Sequence, residues 1–429
     1  MNKIKRREIW MSGFALFSLF FGAGNLILPP NLGVQFGHHW WSVLLGFAIT
    51  AVIIPILGIF AHAKVQGTLF DLAKPVSKGF SSVYCILIYV IAIAIPAPRT
   101  ASVTHEMSIQ PFFEISSLWT SAIYFLLVFV FVINRSKILS FIGKMLTPII
   151  VLILLAIIFI TIFSEGEILT STLNQSFFKG FIEGYQTFDA IGGVVVGAFI
   201  VVSLNLRGYK SYEDKRKLIT QSGIIAGSGL FLIYGGLIFS GAYTSTSFAD
   251  NISRTQILSG LSNLSLGNLG TTFLSVLVAL ACFTTAVGVV TGASDYIKGI
   301  CNDSKKAYMI TATISCIIGA LVGHYEVKLI IDIALPALMF IYPITIILIF
   351  LNVFSKKWTS PFIFKVVVIT TFLFSIPDFL QFYVNKDLLV PVQELIPFSK
   401  GGLGWLLPAL CAFFLANIYA YAKKTQVIK

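Results

Sequence analysis

Charged residues are scarce in this chain, at 11% of 429 residues, where soluble domains average about 25%. That shortage excludes an ordinary soluble enzyme or binding module. Cysteine is sparse too: Cys85, Cys282, Cys301, Cys316 and Cys411 lie in or beside apolar segments without metal-ligand spacing. Buried free thiols are expected rather than disulfides or a metal centre. The five histidines are scattered, with His38 and His39 on an expected external turn and His105 and His324 near outer helix ends. No Walker-type loop, nucleophile–base signature or zinc spacing is present, so neither enzyme chemistry nor a cofactor is expected. Proline and glycine are close to ordinary abundance, which excludes a fibrous or disordered chain.

What the chain has is long apolar runs, and 57% of its residues are hydrophobic. A run of about 20 apolar residues marks a membrane-crossing helix. Twelve are read here, roughly at 9–36, 40–62, 80–104, 118–134, 139–163, 180–205, 218–242, 269–297, 307–323, 328–354, 361–381 and 402–422. The first begins near Ile9 and has no short core with a small-residue cleavage site, so no cleavable signal peptide is expected. The net charge of +12 raises nucleic acid as a partner, but its distribution argues otherwise. With both termini in the cytoplasm, 24 of the 30 Lys and Arg fall on the inner side. Only Arg99, Lys179, Arg254, Lys328, Lys386 and Lys400 fall in or near external segments. This is the positive-inside bias, and it makes the lipid bilayer the expected partner and nucleic acid an excluded one. Two polar connections stand out: 243–268, long enough for a short external helix, and the turn-rich Tyr383 to Leu403.

The first apolar run is interrupted by Phe20-Phe21-Gly22-Ala23-Gly24-Asn25-Leu26-Ile27-Leu28-Pro29-Pro30. Unsatisfied backbone in lipid costs several kcal/mol per group, so irregular backbone survives only against protein or a water-filled cavity. A half-helix starting near Leu26, with Pro29 and Pro30 in its first turn, would offer free N–H donors to a carboxylate. Glycines at 22 and 24 would let a ligand approach the backbone. The sixth run carries a second interruption, Gly184-Tyr185-Gln186-Thr187-Phe188-Asp189-Ala190. Its open carbonyls and buried acid suit a cation, a substrate ammonium or a sodium ion; the plainer alternative is that Asp189 caps the second half-helix. Paired interruptions five spans apart point to an inverted-repeat carrier with its site midway across the membrane. The expected fold is therefore an all-α polytopic membrane protein of about twelve transmembrane helices. Its single domain comprises a 5+5 inverted repeat (9–163 and 180–354), discontinuous helices one and six, and two additional helices (361–422).

Two further constellations fall in the apolar runs. In span eight, Ala281, Thr284 and Thr285 share one helical face at i, i+3 and i+4, and their oxygens suit a small hard cation. Threonines bonded back to their own helix are the plainer reading. In span three, Arg99 is read near the outer end, within reach of Asp332 in span ten. The two would form an external gate, with snorkelling of Arg99 to the interface as the alternative.

Four motifs together closely resemble the bacterial branched-chain amino acid:cation symporters. They are Phe21 to Pro30, Arg99-Thr100-Ala101-Ser102-Val103, Gly184 to Ala190, and Phe340-Ile341-Tyr342-Pro343. The match runs in order over essentially the whole chain. It implies a multi-pass protein of the bacterial inner membrane, with the LeuT-type inverted-repeat fold, that imports leucine, isoleucine and valine with Na⁺ or, in some members, H⁺. Carried over by residue, Ala23, Gly24 and Asn25 match the segment that meets the substrate's charged ends, and Phe188, Asp189 and Ala190 match its partner. The resemblance also implies a Na⁺ site between carbonyls near Ser18 and Phe21 and the Ala281, Thr284 and Thr285 group. This chain departs from the family pattern at Phe188, commonly Met, and at Ile95-Pro96-Ala97-Pro98-Arg99, commonly a tighter Ile-Pro-Arg. The alternatives kept open are H⁺ coupling, another neutral amino acid, or a receptor or channel that does not concentrate solute.

Overall fold

The computed structural model describes residues 6–134, 137–170, 175–206, 209, 211–249 and 252–427. Of the basic residues sorted above, Lys3, Lys5, Arg135, Arg207, Lys210 and Lys429 lie outside the described residues. So do the side chains of Lys137, Lys144, Lys386 and Lys424.

Every regular element among the described residues is helical. The first interrupted run forms α1 (Arg6–Phe20) and α2 (Ala23–Phe36), and the second span forms α3 (Trp40–Ala48) and α4 (Ile54–Val65). A short α5 (Leu69–Ala73) precedes α6 (Lys78–Ala94) and α7 (Pro96–Thr104), which together make the third span. Then come α8 (Ser117–Asn134), α9 (Lys137–Phe163), α10 (Ser176–Glu183) and α11 (Asp189–Leu206). The second half continues with α12 (Tyr212–Tyr243), α13 (Arg254–Ile300), α14 (Lys305–Val322) and α15 (Val327–Val353). It ends with α16 (Pro361–Leu380), α17 (Lys386–Leu395) and α18 (Leu406–Val427). Ten helices among the described residues are long and apolar enough to cross a bilayer. By contrast α1 and α10, at 15 and 8 residues, are too short alone because each is half of an interrupted helix.

A helix does form within 243–268: it is the first part of α13, which bends at Gly267 (φ 69°). The turn-rich segment after α16 also holds a helix: α17 forms between turns at 381–384 and turns after Leu395. All five cysteines are free thiols; Cys85, Cys282 and Cys316 are buried, whereas Cys301 at the end of α13 and Cys411 on α18 are exposed.

Buried side chains form two clusters rather than one. One gathers α1, α2, α8, α9, α12 and α13 and includes Phe20, Phe21 and Tyr234. The other gathers α4, α6, α10, α11, α15 and α16 and includes Tyr185, Phe188 and Ala190. Helices α4 and α11 contribute to both, and the two interruptions face each other across the seam where the clusters adjoin.

Small residues let the interrupted helices press against their neighbours, as bilayer helices must when lipid gives no hydrophobic drive to association. A Cβ on Gly33 would lie 1.9 Å from the Ile238 carbonyl oxygen, and one on Gly241 would lie 2.1 Å from that of Pro30. The α2–α12 crossing is thus backbone on backbone. The α3–α10 crossing is built the same way, with Gly46 against the Phe177 carbonyl at 2.0 Å and Gly180 against that of Val43 at 2.1 Å. Substituting Gly241→Val should force α2 and α12 apart and cost roughly 1–3 kcal/mol. Thermal unfolding of the purified protein in detergent reads the loss as a lower midpoint; an unchanged midpoint would contradict the close crossing.

Candidate functional site

The first interruption is tighter than the sequence suggested. Only Phe21 and Gly22 leave the helix, and α2 starts at Ala23 with Gly22 as its extended N-cap (φ −112°, ψ 180°). The Gly22 N–H bonds the Phe20 carbonyl and the Asn25 N–H bonds that of Gly22, at 3.1 Å each. These two bonds take the Ser18 and Phe21 carbonyls out of the helical ladder. They also leave the Gly24 amide among the open donors of a helix N-terminus, where roughly half a positive charge collects. Pro29 and Pro30 sit deeper in α2 than the first turn expected for them. Being without N–H groups, they release the Asn25 and Leu26 carbonyls instead.

The second interruption is a 3₁₀ turn, Gly184–Thr187, closed by Phe188 in the left-handed region (φ 62°, ψ 11°). A non-glycine residue there costs on the order of 1–3 kcal/mol and persists only where its surroundings impose it. The imposing contacts are visible. Thr187 Oγ1 donates to the Gly184 carbonyl at 2.8 Å and accepts the Asp189 N–H at 3.2 Å, which caps α11. A bulge in the second span, Ile49–Ile53, lets Thr50 Oγ1 donate to the Phe181 carbonyl at 2.8 Å. A Cβ at Gly184 would stand 1.9 Å from that hydroxyl, so only glycine fits there.

Capping by Thr187 frees the Asp189 carboxylate. Asn25 Nδ2 donates to Asp189 Oδ2 at 2.6 Å and to the Phe20 carbonyl at 2.8 Å, and also contacts the Tyr234 hydroxyl. An amide nitrogen has two hydrogens and serves two of these acceptors at a time. Tyr234 in turn donates to Asp189 Oδ2 at 3.5 Å. Asn25, Asp189 and Tyr234 are all buried, and they tie the two interruptions together through side chains. An ionisable group buried in a membrane-spanning segment is expensive, which makes this a candidate functional site.

Of the expected residues, Gly24, Asn25, Phe188, Asp189 and Ala190 do converge at this seam, together with the backbone of Ala23, whose side chain lies outside the described set. Thr285 also reaches it, since a Cβ on Gly22 would lie 3.7 Å from Thr285 Oγ1. Both Thr284 and Thr285 donate to the Ala281 carbonyl, at 3.0 and 2.9 Å. That is the back-bonded arrangement, but a hydroxyl that donates still presents its lone pairs outward. The Ser18 hydroxyl bonds Thr147 Oγ1 of α9 at 2.7 Å, so of Ser18 only the freed carbonyl faces the interruption.

The expected Arg99–Asp332 gate does not form. Arg99 is buried at 4% exposure and donates from Nη1 to the Gln186 carbonyl at 2.8 Å, while Asp332 is exposed on α15. The reason is length: a π-helical turn, His105–Ile109, carries the third span about 15 Å past Arg99, which therefore lies well inside. A different arginine bridges the top of the site. Arg254, at the start of α13, reaches Glu183 through Nη1 at 3.0 Å and Nη2 at 3.3 Å, and Gln186 Oε1 at 3.0 Å.

Two interrupted helices whose open ends meet around a buried acid and a buried base form the candidate site, and the fold that holds them is the LeuT type. The solved structures with this fold include the inward-facing conformation of Mhp1, with TM-score 0.58 and 13% identity, covering 97% of this chain and 91% of that one. A substrate-bound Na⁺-coupled sialic acid symporter matches with TM-score 0.59 and 15% identity, over 96% and 89% of the two chains. The family profile described as branched-chain amino acid transport protein matches residues 5–423, and the chain belongs to that family. Among its relatives is the branched-chain amino acid transport system 2 carrier protein of Pseudomonas aeruginosa, 32% identical, with 97% of each chain covered. The permease BraB of Bacillus subtilis is 32% identical over 93% and 92% of the two chains, and the permease BrnQ of Escherichia coli 31% over 99% and 98%. The protein is thus a multi-pass membrane transporter and not an enzyme.

Sequence reasoning missed Tyr234, Thr50 and Gln186 as parts of the site. A tyrosine in mid-span, away from the interfaces where tyrosines gather, was the available signal for the first. Tyr234→Phe removes a partner from both Asn25 and Asp189 and should weaken branched-chain substrate affinity about five- to tenfold, roughly 1–1.4 kcal/mol. Equilibrium binding to the purified carrier measures it, and wild-type affinity in the variant would sever Tyr234 from the site.

Proposed function

We propose that this carrier is a secondary symporter that takes up leucine, isoleucine and valine together with Na⁺ across the bacterial inner membrane, with both termini cytoplasmic. The observation that carries the reading is the hydrogen bond between Asn25 and Asp189, which joins two helix interruptions across the seam. A zwitterion fits such a pair of ends. The α2 N-terminus attracts its carboxylate, while the C-terminal end of α1 and the Asp189 carboxylate attract its ammonium. Phe20 and Phe188 flank the interruptions and give the aliphatic side chain an apolar surround. Such a surround distinguishes one methylene by only about 1–3 kcal/mol, so the three branched side chains would be accepted together. The names of the relatives support the same substrate class.

The coupling ion is assigned to the oxygens beside the first interruption. The Ser18 and Phe21 carbonyls are freed from α1, and Ala281, Thr284 and Thr285 offer a carbonyl and two hydroxyls from α13. Neutral hard oxygens of this kind suit Na⁺. Sodium drawn between α1 and α13 would hold the interruption in the shape that receives substrate. Return to the other side then follows as one packed body rocks against the other.

The architecture we propose is the five-plus-five repeat with two appended helices. Twelve crossings result when the continuous stretch Gly24–Val65 counts as two and α10–α11 counts as one interrupted crossing. Matched packing supports it: α2 lies on α12 through Gly33 and Gly241 as α11 lies on α4 through Gly193, whose Cβ would stand 2.6 Å from the Pro55 carbonyl oxygen, and α1 packs on α12 as α10 packs on α3.

Leucine uptake into proteoliposomes, with and without an imposed Na⁺ gradient, tests the function. Concentration above the external level only with Na⁺ is the expected result. Uptake that ignores Na⁺ and tracks the pH gradient would replace sodium by protons, and equilibration without accumulation would make the protein a channel. At the ion site, Thr285→Ala should raise the Na⁺ concentration for half-maximal uptake about tenfold, the 1.4 kcal/mol of a lost oxygen ligand. An unchanged sodium dependence would refute that ligand set.

A further inference from the structure

Arg99, expected at an external gate with Asp332, lies instead inside the seam. Its guanidinium lies against the start of α2: a Cβ on Gly24 would fall 1.8 Å from Nη2 and 2.7 Å from Cζ. Cζ also stands 5.5 Å from the centroid of the Phe188 ring, and Nη1 bonds the Gln186 carbonyl at 2.8 Å. Arg99 therefore touches both interruptions at once. Among the described residues it forms no ion pair, since the recorded pairs are Arg254–Glu183 and Lys400–Glu394. Asp189 is near enough to act on Arg99 electrostatically but forms no contact ion pair with it, so among the described residues no carboxylate is seated in the buried guanidinium fork, where an anion would be favoured. Asp189 likewise meets only the neutral Asn25 and Tyr234 through its hydrogen bonds. The seam thus holds a base beside the α2 amides and an acid at the start of α11, coupled through space but not in contact.

We infer that Arg99 is the substrate's carboxylate ligand, sharing that group with the Gly24 amide, and that it makes a free carboxylate a condition of binding. This rests on the amino acid carrier reading above. A guanidinium presents a planar fork that matches a carboxylate in two parallel hydrogen bonds, which neither lysine nor a helix end reproduces. Glycine at position 24 is then a requirement of the fork, because any side chain there would displace it.

Competition binding with leucine and leucinamide tests the assignment, since the two share the ammonium and side chain and differ only at the carboxylate. The wild type should prefer leucine by about 100-fold or more, the usual scale for a buried, hydrogen-bonded charge pair. In Arg99→Gln, leucine affinity should fall by that factor while leucinamide changes less than about threefold, so that the preference collapses. Arg99→Lys keeps the charge without the fork and should retain part of the preference, and Gly24→Ala should erode it by moving the guanidinium. Leucine and leucinamide weakened by the same factor would show a structural prop and overturn the inference. So would wild-type leucine affinity in Arg99→Gln or, if that variant does not fold, in Arg99→Lys. A wild type that binds neither compound overturns the carrier reading itself, a result distinct from a lost preference.

Discussion

A backbone N–H or C=O without a partner inside a bilayer costs several kcal/mol, and the two helix interruptions expose several of each. That constraint organises the centre of the protein. Asn25 returns a side-chain N–H to the Phe20 carbonyl that the break exposes. Thr187 serves a carbonyl and an amide on either side of the second break, Thr50 reaches in from the second span, and Arg99 takes the Gln186 carbonyl. The polar side chains of the seam are first of all substitutes for lost helical bonds. Their ability to bind a solute would follow from being held there by those bonds.

Close approach is the second consequence. A break lined by bulky side chains could not bring its backbone to a partner, so small residues stand where another group must come near. Gly24 lies under the Arg99 guanidinium and Gly184 under the Thr50 hydroxyl. Farther out, the glycine pairs at the α2–α12 and α3–α10 crossings fix each half-helix on a continuous neighbour. Each interruption is thereby anchored on at least one side, through α2 for the first and α10 for the second. The left-handed Phe188 shows the strain that such anchoring can sustain.

The interruptions were legible in the sequence because Gly, Asn, Pro and Asp are conspicuous inside apolar runs. Their extent was not. The unwinding at Gly22 involves two residues because the Asn25 side chain replaces a helical bond, and no local rule announces that its partner would be the Phe20 carbonyl. Depth was misread for Arg99, since the third span was taken to end at Thr104 and the π-helical turn that follows was invisible to hydropathy. Tyr234 joins Asn25 across a separation of 209 residues, and Thr50 joins Phe181 across 131. Such pairings belong to the packing of helices, and a single sequence carries no record of them.

Placing ion and substrate on one short break also bears on how they would be coupled. Phe21, whose carbonyl is assigned to the ion, and Gly24, whose amide is assigned to the carboxylate, are separated by only two residues. An ion that fixes the first reduces the freedom of the second, so substrate finds its donors already arranged. Linkage makes the effect reciprocal, and couplings of this kind amount to about 1–3 kcal/mol, or 5- to 150-fold in affinity. Asn25 extends the same link to the other body, because it is the third residue of α2 and the partner of Asp189 at the start of α11. In the proposed symport, the ion therefore acts on the far side of the seam through the backbone of one turn and the amide of one side chain.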